Sequence, residues 1–494
     1  MSREPHSTLS RATDRLRLAD VDPPIALGPL DGRYRAVAGA LTEHLSEAAL
    51  NRARLEVEVA WLIHLTDQGA LPGAPRLSAA DVAYLHGVVD SFGPEEIAEL
   101  GEIEAETRHD VKAIEYFLKR RLAAAPDVLG ETVLADVGEI VHIFCTSEDI
   151  NNLSYAITIR AAITDVWLPA ARELLDQLAA MAREHAAVPM LSRTHGQTAT
   201  PTTLGKELAV LTSRLQRQVQ RVARAEYLGK INGATGTYGA HAVAVPSTDW
   251  EEIARGFVES LGLTWNPLTT QIEPHDWQAE LYADVARFNR VLHNLCTDVW
   301  TYISLGYFRQ RLAAQGSTGS STMPHKVNPI RFENAEANLE ISCALLDTLG
   351  ATLVTSRLQR DLTDSTTQRN IGVALGHSLL AIDNVNRGLA GLDVDHEALD
   401  RDLDASWEVL GEPIQSAMRA ASVAGVEGMA DPYERLKELT RGRRVDAAAM
   451  RDLISGLGLP EDAEQRLLQL TPAGYTGLAE TLVRHLRNAT TETS

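Results

Sequence analysis

The chain has 494 residues, with 67 acidic and 46 basic side chains and a formal charge of −21, so it can bury a large core and, by length, is expected to form about three domains. The acidic surplus repels nucleic acid and anionic membrane surfaces, which excludes both as expected partners. The three cysteines, Cys145, Cys296 and Cys343, follow neither CxxC nor Cys/His ligand spacing, so no disulfide or metal staple is expected and a reduced, cytoplasmic setting fits.

The first two dozen residues mix Arg, Asp, Glu and Pro without an apolar run, and a frayed extension is expected over 1–24. No later stretch reaches about eighteen uninterrupted apolar residues. Abundant Ala and Leu, few aromatics and long Pro-free stretches predict helices, and the apolar spacing places them in turn. Leu168, Leu175 and Leu178 suggest one seam. Leu204, Leu208, Leu211, Leu215, Val219 and Val222 give a second. The clearest runs Leu281, Val285, Phe288, Leu292, Leu295, Val299, Tyr302 and Gly306, with spacing that alternates four and three as in a packed bundle. Leu375, Leu379, Ile382 and Leu389 give another. Rods of about thirty residues reach about 45 Å, and their apolar flanks need another chain to cover them. Strand patterns are scarce, and GxGxxG and GxxxxGKS are absent, so the expected class is all-α. The breaks at Pro126 to Gly130 and at Gly391 to Asp395 divide the chain into an N-terminal helical domain (1–135), a central long-helix bundle (136–390) and a C-terminal helical domain (391–494).

Six polar segments interrupt this pattern. Asp31 to Tyr34, DGRY, and Arg357 to Asn370, RLQRDLTDSTTQRN, set arginines among hydroxyls and turn residues, which suits phosphate, although surface ion pairs explain either equally. Glu106 to Lys112, ETRHDVK, puts His109 beside Asp110 and near Arg108; taken alone it reads as a solvated, mixed-charge helix face. Cys145 to Asn152, CTSEDINN, resembles a helix start, in which Thr146 and Ser147 cap the helix or bind an anion. Leu191 to Pro201, LSRTHGQTATP, sets His195 in a short polar break before a helix expected from about Thr203. A lone histidine is usually a structural hydrogen-bonder, but in such a break imidazole can meet a ligand and serve as a general acid. Gln315 to Pro329, QGSTGSSTMPHKVNP, lies between a helix expected to end near Ala314 and one expected from Ile330. Its composition suits a linker, yet a linker does not need His325, Lys326 and Asn328 behind the serines. A hydroxyl acts as a base only when neighbouring donors or cations ionise it, and Lys326 can supply that charge or bind a carboxylate.

Together these segments resemble the fumarase/aspartase superfamily, in which a mobile loop of the form GSSxMPxKxNP joins long bundle helices. PLDGRY, ETRHDVKAIEYFL, CTSEDINNLS, LSRTHGQTATPTTLGKE, GKINGATGTYGAH, TTQIEPHD, RLQRDLTDSTTQRN and LKELTRGRRVD are similar to its bacterial adenylosuccinate lyase branch, over roughly residues 25 to 480. The resemblance implies a homotetramer with three-chain active sites and two fumarate-releasing cleavages. One converts adenylosuccinate to AMP, and the other frees the carboxamide ribotide from its succinylamino precursor. It makes Ser320 the general base and His195 the general acid. Ser321, Lys326, Asn328, Asn334, Gln271, Thr146 and Ser147 become substrate contacts, with His109 and Asp110 the second-histidine segment. Arg33, Tyr34, Arg360, Ser365 and Arg369 match the nucleotide end. Arg108 departs from the pattern, standing where close relatives have Asn; it adds charge and bulk at a substrate contact unless it points away or pairs with Glu104 or Glu106.

The implied chemistry needs no cofactor or metal. Ser320 as alkoxide takes the proton beside one succinyl carboxylate, Lys326, loop N–H groups and Thr146 stabilise the resulting dianion, and His195 protonates the departing nitrogen. Argininosuccinate lyase remains the nearest rival, and the arginines and serine of 357–370 speak against it because its substrate carries no phosphate. A catalytically silent helical scaffold is the other rival, opposed by the intact Ser320, His195 and Lys326.

Overall fold

The computed structural model describes residues 26–311, 326–429, 431–434, 437 and 445–486. Ser320 and Ser321, with most of the 315–329 loop, lie outside the described residues. The principal elements in chain order are α1 (Glu47–Asp67), α2 (Pro94–Thr107), α3 (Asp110–Leu129), α4 (Ser147–Ala161), α5 (Leu168–Glu184), β1 (Pro189–Thr194), β2 (Gln197–Thr203), α6 (Leu204–Ala223), α7 (Asp276–Ser304), β3 (Phe308–Gln310), α8 (Ile330–Leu353), α9 (Thr363–Gln368), α10 (Ile371–Ala390), β4 (Leu392–Val394) and α11 (His396–Asp404). Helix dominates, and the described sheets are two-stranded. Among the described residues no helix is long and apolar enough to cross a membrane.

Two compact units form, each discontinuous in sequence. Among the described residues the first holds 26–162, 229–273 and 365–380. Its core is built on α1, which spans 21 residues and buries Leu55, Val57, Val59, Trp61, Leu62 and Leu65. These residues fall on more than one face, so α1 is enclosed by neighbours rather than laid on a surface. It packs against α3 and α4. Ser46 caps it, its hydroxyl accepting the Ala49 N–H at 3.1 Å.

The second unit holds the described residues within 163–228, 274–364 and 381–486. Here α7, 29 residues long, packs along α8 and α6, and α5 packs along α6. Leu281, Val285, Phe288, Leu292, Leu295 and Val299 are all buried, so the four-and-three spacing is the seam of this bundle. Gly205 lets α6 start against the end of α5, because a Cβ there would collide with the Ala182 carbonyl. Val210, Trp300, Ile330 and Ile341 leave two-fifths or more of their surface exposed.

One expectation about these helices is corrected. α7 stops at Ser304, not near Ala314, because Gly306 takes φ +79° and the chain turns into β3, which pairs with β4. The polar break before α6 takes the form of the β1–β2 hairpin. Thr and Pro through 198–203 supply the β-branched, donor-poor composition that a short edge ribbon tolerates.

Candidate active site

In the first unit, the ETRHDVK segment is not a continuous helix face. α2 ends at Thr107, Arg108 takes φ +53°, and His109 is the N-cap of α3, its Nδ1 accepting the Lys112 N–H at 3.2 Å. A left-handed backbone at a non-glycine residue is held in place only by its surroundings, and here it projects His109 and Asp110 from the joint between two helices. Arg108 is exposed and, among the described residues, forms no ion pair with Glu104 or Glu106.

Asp110 meets two arginines. Arg54 lies 2.8 Å away with its side chain almost fully buried, and Arg369 lies at 3.6 Å. Burial alone would raise the Asp110 carboxyl, but the charges of Arg54 and Arg369 and the Val111 N–H hold it below the usual carboxylate range. Arg54 is fixed in turn by the side-chain carbonyls of Asn151 at 2.9 Å and Asn51 at 2.8 Å. Arg369 also reaches Glu47 at 3.1 Å. It stands on the wall of a cavity of about 510 Å³ with Asp31, Arg35, Ser46 and Glu47, a volume suited to a small-molecule ligand. Arg33 and Tyr34 lie in the turn beside that wall, with the Arg33 guanidinium 5.8 Å from the Tyr34 ring.

The CTSEDINN segment opens a helix, with Thr146 the N-cap of α4 and Ser147 its first residue rather than a cap. Asp149 accepts the N–H groups of Thr146, Asn232 and Gly233 at 2.9, 3.0 and 3.1 Å and pairs with Lys230 at 2.8 Å, both side chains fully buried. Gln271 donates to the Ala234 carbonyl at 2.9 Å in the same neighbourhood. Below Cys145, His142 lies 2.5 Å from Glu58 and 3.7 Å from Glu115, which Lys112 holds at 2.6 Å. Burial opposes charge on His142, but the hydrogen bond and charge of Glu58, with Glu115 and Asp149, raise its pKa. Motif reading passed over Arg54, Glu58, His142 and Lys230. A signal existed for the first two, which sit four residues apart among the buried apolar positions of α1 where charge needs a partner.

In the second unit, Thr194 pairs with Gln197, so His195 and Gly196 alone form the turn, at φ +54° and +74°. Positive φ at both central residues is the tight hairpin turn that suits strand twist; glycine takes it freely, whereas a histidine there is uncommon. The imidazole is presented at an exposed tip. Lys326 is exposed and Asn328 half-buried, and the Val327 carbonyl between them accepts from Gln310 at 3.0 Å. Asn334, near the start of α8, accepts from Asn384 and Asn338, each at 3.0 Å. Arg360 faces Asp364 at 3.8 Å, and Asp364 faces His275 at 3.5 Å. Ser365, in α9, and Arg369, just after it, belong to the first unit. Thus Asp110 and Arg369 are brought together within the first unit, while His195, Lys326, Asn328, Asn334 and Arg360 all belong to the second.

Residues 32–341 match the family described as Lyase, and residues 356–476 match Adenylosuccinate lyase C-terminal. The chain is 49% identical to adenylosuccinate lyase of Escherichia coli strain K12 over 462 residues, covering 94% of this chain and 98% of that one. It is 47% identical to the Haemophilus influenzae Rd enzyme of the same name, covering 93% and 98%. A fumarate lyase from Mesorhizobium sp. BNC1 superposes with a TM-score of 0.70 at 20% identity, covering 90% of this chain and 96% of that one. The 3-carboxy-cis,cis-muconate lactonizing enzyme from Pseudomonas putida gives 0.69 at 22%, covering 92% and 98%; likeness at this identity speaks for the fold alone. Matched from the DGRY turn to the C-terminal helices, the chain belongs to the adenylosuccinate lyase family and is a lyase of that type.

Proposed function

We propose that the chain eliminates fumarate from adenylosuccinate, giving AMP, and from the succinylamino carboxamide ribotide, giving the free carboxamide ribotide, in a site that homotetramer assembly completes from three chains. The observation that carries the mechanism is His195 at the tip of a two-residue left-handed turn. A constrained, exposed imidazole that can meet a departing nitrogen suits a general acid. Ser320 takes the carbon-bound proton as general base. Ser321, Lys326, Asn328, Asn334, Gln271, Thr146 and Ser147 hold the succinyl end and spread the charge of the dianion, the larger part of the barrier. Arg33, Tyr34, Arg360, Ser365 and Arg369 hold the nucleotide end, with His109 and Asp110 beside it. The exposed apolar residues of α6, α7 and α8 support burial against further copies. The three sequence spans, 1–135, 136–390 and 391–494, are proposed as its domains and the cytoplasm as its compartment.

Purified protein mixed with adenylosuccinate should show the ultraviolet change of AMP formation with one fumarate per turnover, and argininosuccinate should not react. Turnover of argininosuccinate in place of adenylosuccinate would overturn the substrate assignment. For assembly, inactive Ser320→Ala and His195→Ala proteins, dissociated, mixed equally and reassembled, should regain activity in about a quarter of sites. Mixed tetramers without activity would mean that one chain supplies both residues.

A further inference from the structure

A two-stranded hairpin is marginal by itself, and this one is weakest just below its tip. Leu191 anchors the base of β1 in an apolar cluster with Leu403, Leu410 and Ile414. The ladder then breaks between Leu191 and Arg193, leaving only Arg193↔Thr198 and Thr194↔Gln197 paired before the turn. Where the ladder resumes, the Arg193 guanidinium donates to the Tyr307 hydroxyl and to the Asp402 carboxylate, each at 2.7 Å, and the Tyr307 hydroxyl donates to Asp402. Tyr307 is buried. Burial and then the Asp402 carboxylate push its pKa up to about 12, so it remains a donor throughout the working range. The fork therefore ties β1 both to the residue preceding β3 and to α11, two residues short of His195.

Resting on the reading of His195 as general acid, we propose that Arg193, Tyr307 and Asp402 form a positioning clamp that fixes the direction in which the hairpin presents the imidazole. None of the three needs to touch substrate. Their effect passes through the backbone of Thr194 into the two-residue turn, and displacement of an acid by about 1 Å can cost on the order of a hundredfold in rate. Arginine suits the task because its planar fork reaches both acceptors, whereas lysine offers a point charge that holds one of them well.

The test measures adenylosuccinate turnover by full-length Arg193→Gln, Arg193→Lys, Asp402→Asn and His195→Ala, each checked for native circular dichroism and assembly. Arg193→Gln and Asp402→Asn should lower kcat about ten- to hundredfold with KM within about twofold. The double variant should be no worse than the worse single one, Arg193→Lys should recover part of the loss, and added guanidinium ion should raise turnover of Arg193→Gln. Amide exchange across 193–198 should quicken in the same variants. A folded Arg193→Gln protein with near-normal kcat overturns the clamp. If that variant does not fold, the near-isosteric Asp402→Asn carries the test, and unchanged kcat there overturns it equally. Near-normal turnover in His195→Ala removes the acid reading and the clamp together, whereas its loss beside normal Arg193→Gln removes the clamp alone.

Discussion

The two regions that carry the proposed chemistry hold their side chains in different ways. In the first unit, Asp110, Arg369 and Arg54 are held by charge: each position depends on an ion pair or a side-chain carbonyl, and the backbone contributes helix starts at His109 and Thr146. In the second, His195 is held by backbone, in a turn whose two residues are both left-handed. Charge suits a pocket that must release one anion and take another, because the pairs can be exchanged. Backbone constraint suits a group that must keep one direction through every turnover.

The largest stability effect should come from breaking the first region's buried pair. Lys230→Met leaves Asp149 uncompensated in a fully buried setting and should cost about 3–5 kcal/mol in denaturant unfolding; a loss well under 1 kcal/mol would mean that the N–H groups on Asp149 suffice alone. Next, Arg369→Ala should weaken adenylosuccinate by about 1.5–3 kcal/mol, the value of a charge-assisted hydrogen bond, while fumarate binding measured by calorimetry hardly changes. Equal weakening of both ligands would move Arg369 to the succinyl end. In the second region, Gly196→Ala should cost about 1–2 kcal/mol of stability, because φ +74° is strained for any residue with a Cβ, and Gly196→Asn should cost less. Equal losses from Ala and Asn would show that backbone strain is not the cause.

The smallest effect is a pH dependence in the first region. The raised pKa of His142, faced by Glu58, Glu115 and Asp149, contributes stability that is fully present below the unfolded value of about 6.5 and is lost as pH rises through the folded value. Denaturant midpoints should therefore fall as pH rises above about 6.5 through that higher value, and Glu58→Gln should flatten this decline. An equally steep decline in Glu58→Gln would assign it to another group.

The helical class and the α7 seam were legible because heptad-like spacing is a local property of the chain, and Leu281 to Val299 is buried as that spacing requires. The β1–β2 hairpin was not legible: LSRTHGQTATP carries no alternating apolar face, and its turn pairs histidine with glycine where Asn-Gly is the usual signal. The end of α7 was overrun because Gly306 continues the periodic spacing while its own backbone breaks the helix. Among site residues, Asp110 and Arg369 could be named from motifs. That Arg54 joins them could not: its place among the apolar positions of α1 marks a charge that needs a partner, but Asp110 and Asn151 lie far off in sequence.

The central claim is that one elimination is divided between an acid at the hairpin tip and a base in the 315–329 loop. It is tested most directly by following adenylosuccinate turnover in His195→Ala and Ser320→Ala proteins that keep native circular dichroism. Each variant should lose at least about a hundredfold in kcat, the lower bound for one positioned proton transfer, with substrate affinity little changed. Turnover within a few-fold of the unmodified protein in either folded variant would contradict the division.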